Sequence, residues 1–153
     1  MAIAKASEIA SFFLAFSHEC GDPISNLKLQ KLLYYAQAWW LAIEDKPLFD
    51  EPIEAWVHGP VVPSEYHRFK GWAWKPIEDN PGMPELGAAV LLHLEDVMDV
   101  YGVMTAYQLE LLTHEEDPWK HARAGVAADE PSNAPISQDS MKMYYRARLN
   151  GQN

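Results

Sequence analysis

Cysteine is nearly absent from this chain, in which Cys20 is the only one among 153 residues. A single cysteine excludes an internal disulfide and any metal site built from several thiolates. Cys20 follows His18 and Glu19, and neighbours at a helix end do not face each other as a nucleophile and its base must. We therefore expect a partly buried structural cysteine.

Basic residues are also few, with 12 Lys and Arg against 22 Asp and Glu and a net charge of −10. An acidic surface repels phosphate backbones and favours a basic partner, although on composition alone solubility is the simpler explanation. The lysines at 28, 31, 70 and 75 are too scattered for a duplex footprint. We predict no direct binding of nucleic acid.

The motifs of common enzymes are missing, since the chain has neither a glycine-rich phosphate loop nor a G-x-S-x-G elbow. The string His114-Glu115-Glu116-Asp117 resembles a zinc-protease motif, but Pro118 stands where the second histidine is required. We predict a binding module without catalytic residues, cofactor or metal. A metal-dependent enzyme built on the segment His114 to His121 is the alternative from another class.

A signal peptide and a membrane span are not evident either. The N-terminal sequence MAIAKASEIA lacks the basic region and long apolar run of a cleavable signal. The most apolar helical segment is interrupted by Lys28, Gln30, Lys31 and Gln37. We expect a cytoplasmic protein that does not enter the membrane.

The most informative stretch that is present runs from Ser25 to Ile43. At helical spacing, its apolar residues form two stripes that cover most of the circumference: Leu29, Leu32, Leu33, Ala36, Trp40 and Ile43 in one, and Leu27, Tyr34 and Leu41 in the other. Ser25 is a suitable N-cap. This pattern predicts a central helix that other helices cover on at least two sides.

Caps and apolar periodicity predict six further helices. They span Ser7 to Glu19 with Ser7 as N-cap, Pro63 to Lys70, Pro84 to Tyr101, Thr105 to Thr113, Asp117 to about Gly125 with Asp117 as N-cap, and Ser137 to Asn150. Alternation at Pro52 to Val57 predicts a strand, with Lys75 to Glu78 as its nearest partner. Val126 to Pro135 is expected to be a mobile surface loop. The fold class is mainly α: one domain, 1–153, with a helical bundle around a central buried helix and a short two-stranded β ribbon.

Three tryptophans, Trp56, Trp72 and Trp74, lie near the predicted turn at His58-Gly59-Pro60. They form either an exposed patch that binds a partner or a buried cluster that seals the ribbon onto the bundle, and the average burial of tryptophan favours the second. The candidate partner-binding residues are Trp56, His58, Tyr66, Trp72, Trp74 and Trp119.

Three segments together carry a family resemblance: KLQKLLYYAQAWWLA, PLFDEPIEAWVHGPVVPSEYHRFK and LTHEEDPWKHARAG. In order and spacing the chain resembles the Panacea domain of SocA-like antitoxins, also described as phage-associated GepA-like proteins, from about Ile3 to Leu149. The matching residues include Lys28 to Tyr34 except Gln30, then Trp56, Gly59 to Val61, and Pro118 with Trp119.

This resemblance implies a mostly helical domain that neutralises a cognate toxin protein by direct contact and carries no catalytic residues. Members look able to pair with unrelated toxins, among them alarmone-type nucleotide synthetases and membrane-acting peptides. At least one member resembles an adaptor that delivers its toxin to the ClpXP protease, which is the alternative function. Some relatives carry an added helix-turn-helix segment, whereas we expect no separate DNA-binding domain here.

Overall fold

Helix α2, which spans Asn26–Glu44, lies at the centre of the structure. Its first turn is capped by the Ser25 hydroxyl, which accepts a hydrogen bond of 3.3 Å from the Lys28 amide. Leu33 and Trp40 are buried. The predicted central helix is therefore confirmed, apart from Ile43 at its last turn, which is exposed.

The computed structural model describes residues 2–151, and in that range the chain is mainly helical, as predicted. The elements are α1 (Ala6–Glu19), α2 (Asn26–Glu44), β1 (Glu54–Trp56), β2 (Gly59–Val61), α3 (Pro63–Phe69), α4 (Ala88–Tyr101), α5 (Ala106–Glu115), α6 (Asp117–Ala122) and α7 (Gln138–Leu149). A 3-10 turn, Lys70–Trp72, extends α3. Among the described helices, none is long and apolar enough to cross a membrane.

Helices α1, α4, α5 and α7 all pack against α2. Their inward side chains include Phe13 of α1, Leu94 of α4, Leu109 of α5 and Tyr145 of α7, and all four are fully buried. Burying one such side chain stabilises the fold by about 1.5–3 kcal/mol relative to leaving it exposed. The core is thus a single cluster organised by one helix.

The β ribbon is a local hairpin in which β1 pairs antiparallel with β2 and Trp56 lies opposite Gly59. The predicted pairing with Lys75 to Glu78 is wrong, because that segment pairs with the residues before α2, where the Ile77 amide donates to the Ile24 carbonyl at 2.8 Å. Gly59 has a φ of 107°, a backbone conformation that favours glycine. This glycine allows the chain to turn back at once, and a short loop costs less closure entropy than a long one.

The segment 126–135 is irregular and lies at the surface, as predicted, but it is fastened at several points. The Ala55 amide of β1 donates to the Ala134 carbonyl at 2.8 Å. The buried Arg123 guanidinium donates to the carbonyls of Ala127, at 2.8 Å, and Glu130. A pattern of turn residues does not reveal these contacts, and the mobility of the segment stays a prediction.

Two predicted N-caps are wrong by one or two positions. Helix α1 is preceded by Lys5, whose amide donates to the Glu8 carboxylate at 2.9 Å, so Ser7 lies inside the helix. Helix α6 is preceded by Glu116, and Asp117 is its first residue. In α1 the Glu8 carboxylate satisfies the free amide of Lys5, so no Ser7 cap is needed. In α6 the acidic Asp117 lies in the first turn, where it interacts favourably with the helix dipole without being the cap itself.

Other helix boundaries also differ from those predicted. Helix α4 begins at Ala88, after an irregular stretch that contains Pro84. Helix α5 continues past Thr113 to Glu115. Cys20 is exposed and free, in contrast to the partly buried cysteine that was expected.

Candidate functional site

Four of the six candidate partner-binding residues line one apolar groove of about 380 Å³: Trp56, His58, Tyr66 and Trp74. The groove lies between the hairpin, the first turns of α2, helix α3 and the surface segment around Pro131. Its side chains come from parts of the chain that are distant in sequence. A concave apolar surface with a few polar groups is typical of binding sites.

Trp74 is the most exposed of these aromatic residues, at 81%. It follows Ala73, which adopts a φ of 54° although it is not glycine. Two backbone hydrogen bonds of 3.0 Å fix this turn, from Ala73 to Lys70 and from Lys75 to Trp72. A strained residue costs about 1–3 kcal/mol and occurs most often where function requires it. The indole is thus held out in solvent by a defined backbone.

Trp56 and Tyr66 form a wall of the groove. Their ring centroids are 4.9 Å apart and the planes meet at 64°, an edge-to-face contact. The Trp56 Nε1 donates to the Glu54 carboxylate at 2.8 Å, so the indole has little rotational freedom. This half of the groove is preorganised.

His58 occupies the tip of the hairpin and is exposed. Its Nδ1 lies 3.1 Å from a carboxylate oxygen of Glu110 on α5. A pair of this kind at the surface contributes roughly 0–1 kcal/mol, so it orients the imidazole more than it stabilises the fold. The imidazole remains available to a partner.

The floor of the groove contains two buried amides of α2, Asn26 and Gln30. The Gln30 Oε1 accepts from the Val62 amide at 2.9 Å, and its Nε2 donates to the Asn26 Oδ1 at 2.9 Å. The Asn26 amide in turn donates to the Tyr66 carbonyl at 3.1 Å. These bonds join the hairpin and α3 to the central helix. Sequence reasoning counted Gln30 only as a polar interruption and did not mention Asn26.

Lys31 supports the hairpin from below and is fully buried. Its ammonium group donates to the Pro60 carbonyl at 3.0 Å. Burial lowers the pKa of Lys31 to about 7, although the negative charge of Glu110 acts in the opposite direction. The hairpin backbone runs so close that a Cβ on Gly59 would be 2.5 Å from the Lys31 Cε. Both residues therefore fix the height of the turn above α2.

Trp119 does not line the groove and is only 4% exposed. Its Nε1 donates to the Trp56 carbonyl at 2.8 Å, and its ring stacks on His114 with the centroids 3.9 Å apart. Trp119 therefore supports the backbone of Trp56 from inside the fold. Trp72 is half-buried against the core and also lies outside the groove lining. These two residues therefore lie outside the groove that the other four line.

The segment His114 to His121 does not converge on a metal site. Within residues 2–151, no group of three or more His, Cys, Asp or Glu side chains is arranged to hold an ion. Glu116 is buried instead between two tyrosines, and its Oε1 accepts from Tyr35 at 2.6 Å and from Tyr145 at 2.9 Å. Burial raises the pKa of this carboxyl, and the two hydroxyls oppose that shift.

Comparison with known proteins gives one family and one curated relative. The family described as "Antitoxin SocA-like, Panacea domain" matches residues 29–120. The chain is 32% identical over 127 residues to "Antitoxin SocA" from Caulobacter vibrioides (strain NA1000 / CB15N), in an alignment that covers 74% of this chain and 68% of that protein. No solved structure matches the chain significantly.

Proposed function

The chain belongs to the family of SocA-like antitoxins that contain the Panacea domain, and from this membership we propose that it is an antitoxin that neutralises a cognate toxin protein by direct binding. The family supports the antitoxin role. The groove supports binding as the mechanism, because it presents oriented aromatic side chains to solvent. Aromatic residues of this kind are enriched among those that dominate binding energy.

The proposed contact surface is the groove, with Trp74, Trp56, Tyr66 and His58 as its contact residues. Trp74 is the expected anchor, since it exposes a large apolar area that the fold itself does not use. Binding would remove this area from water at little entropic cost, because the turn around Ala73 is already ordered. The single observation that carries this choice of contact surface is that four side chains chosen from the sequence line one groove.

The antitoxin role is tested by co-expression. The gene next to the one that encodes this chain should arrest growth when expressed alone, and expression of this protein should restore growth. If arrest persists while both proteins are soluble and abundant, that gene does not encode the cognate toxin and the proposal fails for this pair.

The role of the groove is tested with Trp74→Ala. We expect this variant to bind the toxin at least roughly tenfold more weakly, as is common for an aromatic hot spot, and to lose neutralisation. Tyr107→Ala is the matched control, because Tyr107 is an exposed aromatic residue on α5 outside the groove. Both variants should unfold at the same denaturant concentration as the parent protein. Equal toxin affinity for all three proteins would exclude the groove as the contact surface.

Neutralisation by binding also predicts the fate of the toxin. The half-life of the toxin in cells should be the same or longer when this protein is present, since a bound toxin is shielded. A shorter half-life that depends on ClpX would instead identify the protein as an adaptor for the ClpXP protease.

A further inference from the structure

The net charge of the chain resides in one stretch, residues 76–119. This stretch contains ten of the 22 acidic residues and none of the 12 Lys and Arg residues, so the remainder of the chain carries twelve of each sign. It forms α4, α5 and the start of α6. The charge imbalance of this protein therefore arises from these elements, and α4 carries three of the acidic residues, Glu95, Asp96 and Asp99.

Helix α4 presents an apolar ridge within this acidic part. Leu92, Asp96 and Val100 follow one another at a spacing of four, which places them on one face of the helix. Leu92 is 63% exposed and Val100 is 59% exposed. Most of the surface of each side chain is therefore in contact with solvent and is not used to pack the described core.

Beside the ridge, a notch of about 180 Å³ opens between α4 and the last turn of α2. Val100 and the exposed Ile43 lie on its rim, and Trp39 and Val97 form part of its apolar wall. A concave apolar site next to an exposed apolar ridge suits an anchoring side chain from a partner.

Carboxylates predominate around the notch, and one cation, the Arg148 guanidinium, acts electrostatically on Tyr101 in its lining. Asp96 lines the notch, and Glu44 as well as Asp96 act electrostatically on the His93 imidazole in its wall. That imidazole is hydrogen-bonded to the Ala36 carbonyl at 2.9 Å, and burial lowers its pKa, so it contributes no positive charge near neutral pH.

The cations at the end of α2 are already used. Lys142 and Arg146 of α7 pair with Asp45 at 2.9 Å and 3.5 Å. The Arg146 Nε also donates to the Ala42 carbonyl at 3.2 Å. Their ion pairs are with Asp45 and not with the acidic residues of α4, whose exposed carboxylates are accessible to a cation from outside the chain.

We propose that the ridge and notch formed by Ile43, Leu92, Asp96 and Val100 bind a cationic amphipathic helix of a protein partner. An aliphatic side chain of that helix enters the notch, and its Lys or Arg residues face Asp96 and the exposed Asp99 and Glu95. A second copy of this chain fits poorly, because a two-fold contact through this face would bring the acidic residues of both copies together.

The probe for this surface is a synthetic peptide of leucine and lysine with its leucines at helical spacing. Two comparison peptides are a scrambled version and a version with glutamate in place of lysine. Fluorescence anisotropy should show binding of the first peptide alone, weakening as salt is added because charge complementarity is screened. Equal binding of the scrambled peptide would overturn the proposal, since binding would then not depend on an amphipathic helix.

Variants of the protein locate the site. Val100→Asp and Asp96→Lys should each weaken peptide binding by at least roughly tenfold, whereas the matched changes Val126→Asp and Asp79→Lys, at exposed positions away from the notch, should change it by less than about twofold. Similar losses in all four variants would mean that general electrostatics drives binding, and would refute the site. A concentration-dependent dimer that Val100→Asp abolishes would also refute the proposal, because a second copy of the chain would then occupy this face.

This proposal and the groove are tested separately. Trp74→Ala should leave binding of the leucine and lysine peptide unchanged, because Trp74 lines the groove and not the notch. Loss of peptide binding in Trp74→Ala would place the peptide in the groove and overturn the assignment to α4.

Discussion

Replacement of Lys31 by methionine should remove a pH dependence of stability that this one buried amine imposes on the fold. Lys31 is fully buried and its ammonium contacts the Pro60 carbonyl, with no carboxylate in hydrogen-bond contact. Burial lowers its pKa from 10.5 to about 7 in the folded chain. Between these two values the unfolded chain binds more protons than the folded chain, so stability must rise with pH in that window.

The magnitude follows from the two pKa values. The pKa of Lys31 is 10.5 in the unfolded chain and about 7 in the folded chain. At neutral pH, protonation therefore favours the unfolded chain and lowers the free energy of unfolding by roughly 4 kcal/mol. By about pH 9.5 most of that cost is relieved, and the free energy of unfolding should have risen by about 3 kcal/mol on account of Lys31. Below about pH 7 the amine is charged in both states, and its contribution levels off.

The assay is urea unfolding followed by tryptophan fluorescence, carried out at several pH values from about 6 to 9.5. The difference in unfolding free energy between the parent protein and Lys31→Met should change by about 3 kcal/mol across the window, with the parent gaining as pH rises. Other titrating groups are present in both proteins and cancel in the difference. Lys46→Met is the control, because Lys46 is exposed in the turn after α2.

Parallel pH profiles for the parent and Lys31→Met would refute this reasoning. They would mean that the amine keeps its ordinary proton affinity in the folded chain, which requires water or a carboxylate at its side. The contact with Pro60 would then not be the dry support of the hairpin that the burial of Lys31 indicates.

Two further changes test the packing that positions the groove. Gly59→Ala should destabilise the protein by about 1–3 kcal/mol in thermal or urea unfolding, because its φ of 107° disfavours a side chain and the new Cβ would meet Lys31; Gly71→Ala, which meets no atom within 4 Å, should have little effect. Tyr145→Phe should cost about 2 kcal/mol in the same measurement, because the buried Glu116 carboxylate loses a donor at 2.9 Å, whereas Tyr107→Phe at the surface should be neutral.

The central helix and the packing around it could be predicted because their signal is local. Apolar residues at helical spacing identify a buried stripe whatever covers it, and a serine before the stripe identifies its start. The confirmed cap at Ser25 and the burial of Leu33 and Trp40 illustrate this. The same holds for the capping box of α5, in which the Thr105 and Gln108 side chains each accept from the amide of the other residue.

The pairing of the ribbon was missed because the same apolar alternation fits more than one partner. Alternation marks Pro52 to Val57 as a strand but does not say which strand it pairs with. Polar side chains of α2 fasten the hairpin, since the Gln30 Oε1 accepts from the Val62 amide and the Lys31 ammonium donates to the Pro60 carbonyl. A helical-wheel argument treats such residues as interruptions of an apolar face, and it has no means to recognise them as partners of a distant backbone.

The candidate groove was predicted in composition but not in shape. Clustering of aromatic residues around one turn indicated Trp56, His58, Tyr66 and Trp74, and these side chains do line one groove. Trp119 is also aromatic but is buried, and its Nε1 donates to the Trp56 carbonyl. Sequence alone does not distinguish an aromatic residue that contacts a partner from one that supports a strand, because both follow the same preference for large apolar side chains.

The two proposed surfaces lie at opposite ends of one rigid element. Asn26 lines the groove and Ile43 lines the notch, and the helix between them places these residues roughly 25 Å apart at 1.5 Å per residue. The same helix packs against five others, α1, α3, α4, α5 and α7, so its two ends cannot move relative to each other without disrupting the core. A partner that occupies both surfaces must therefore match this fixed separation, whereas partners that use only one are not constrained by it. If both proposed surfaces bind, this arrangement would let one fold accept partners of different architecture without a change in its core.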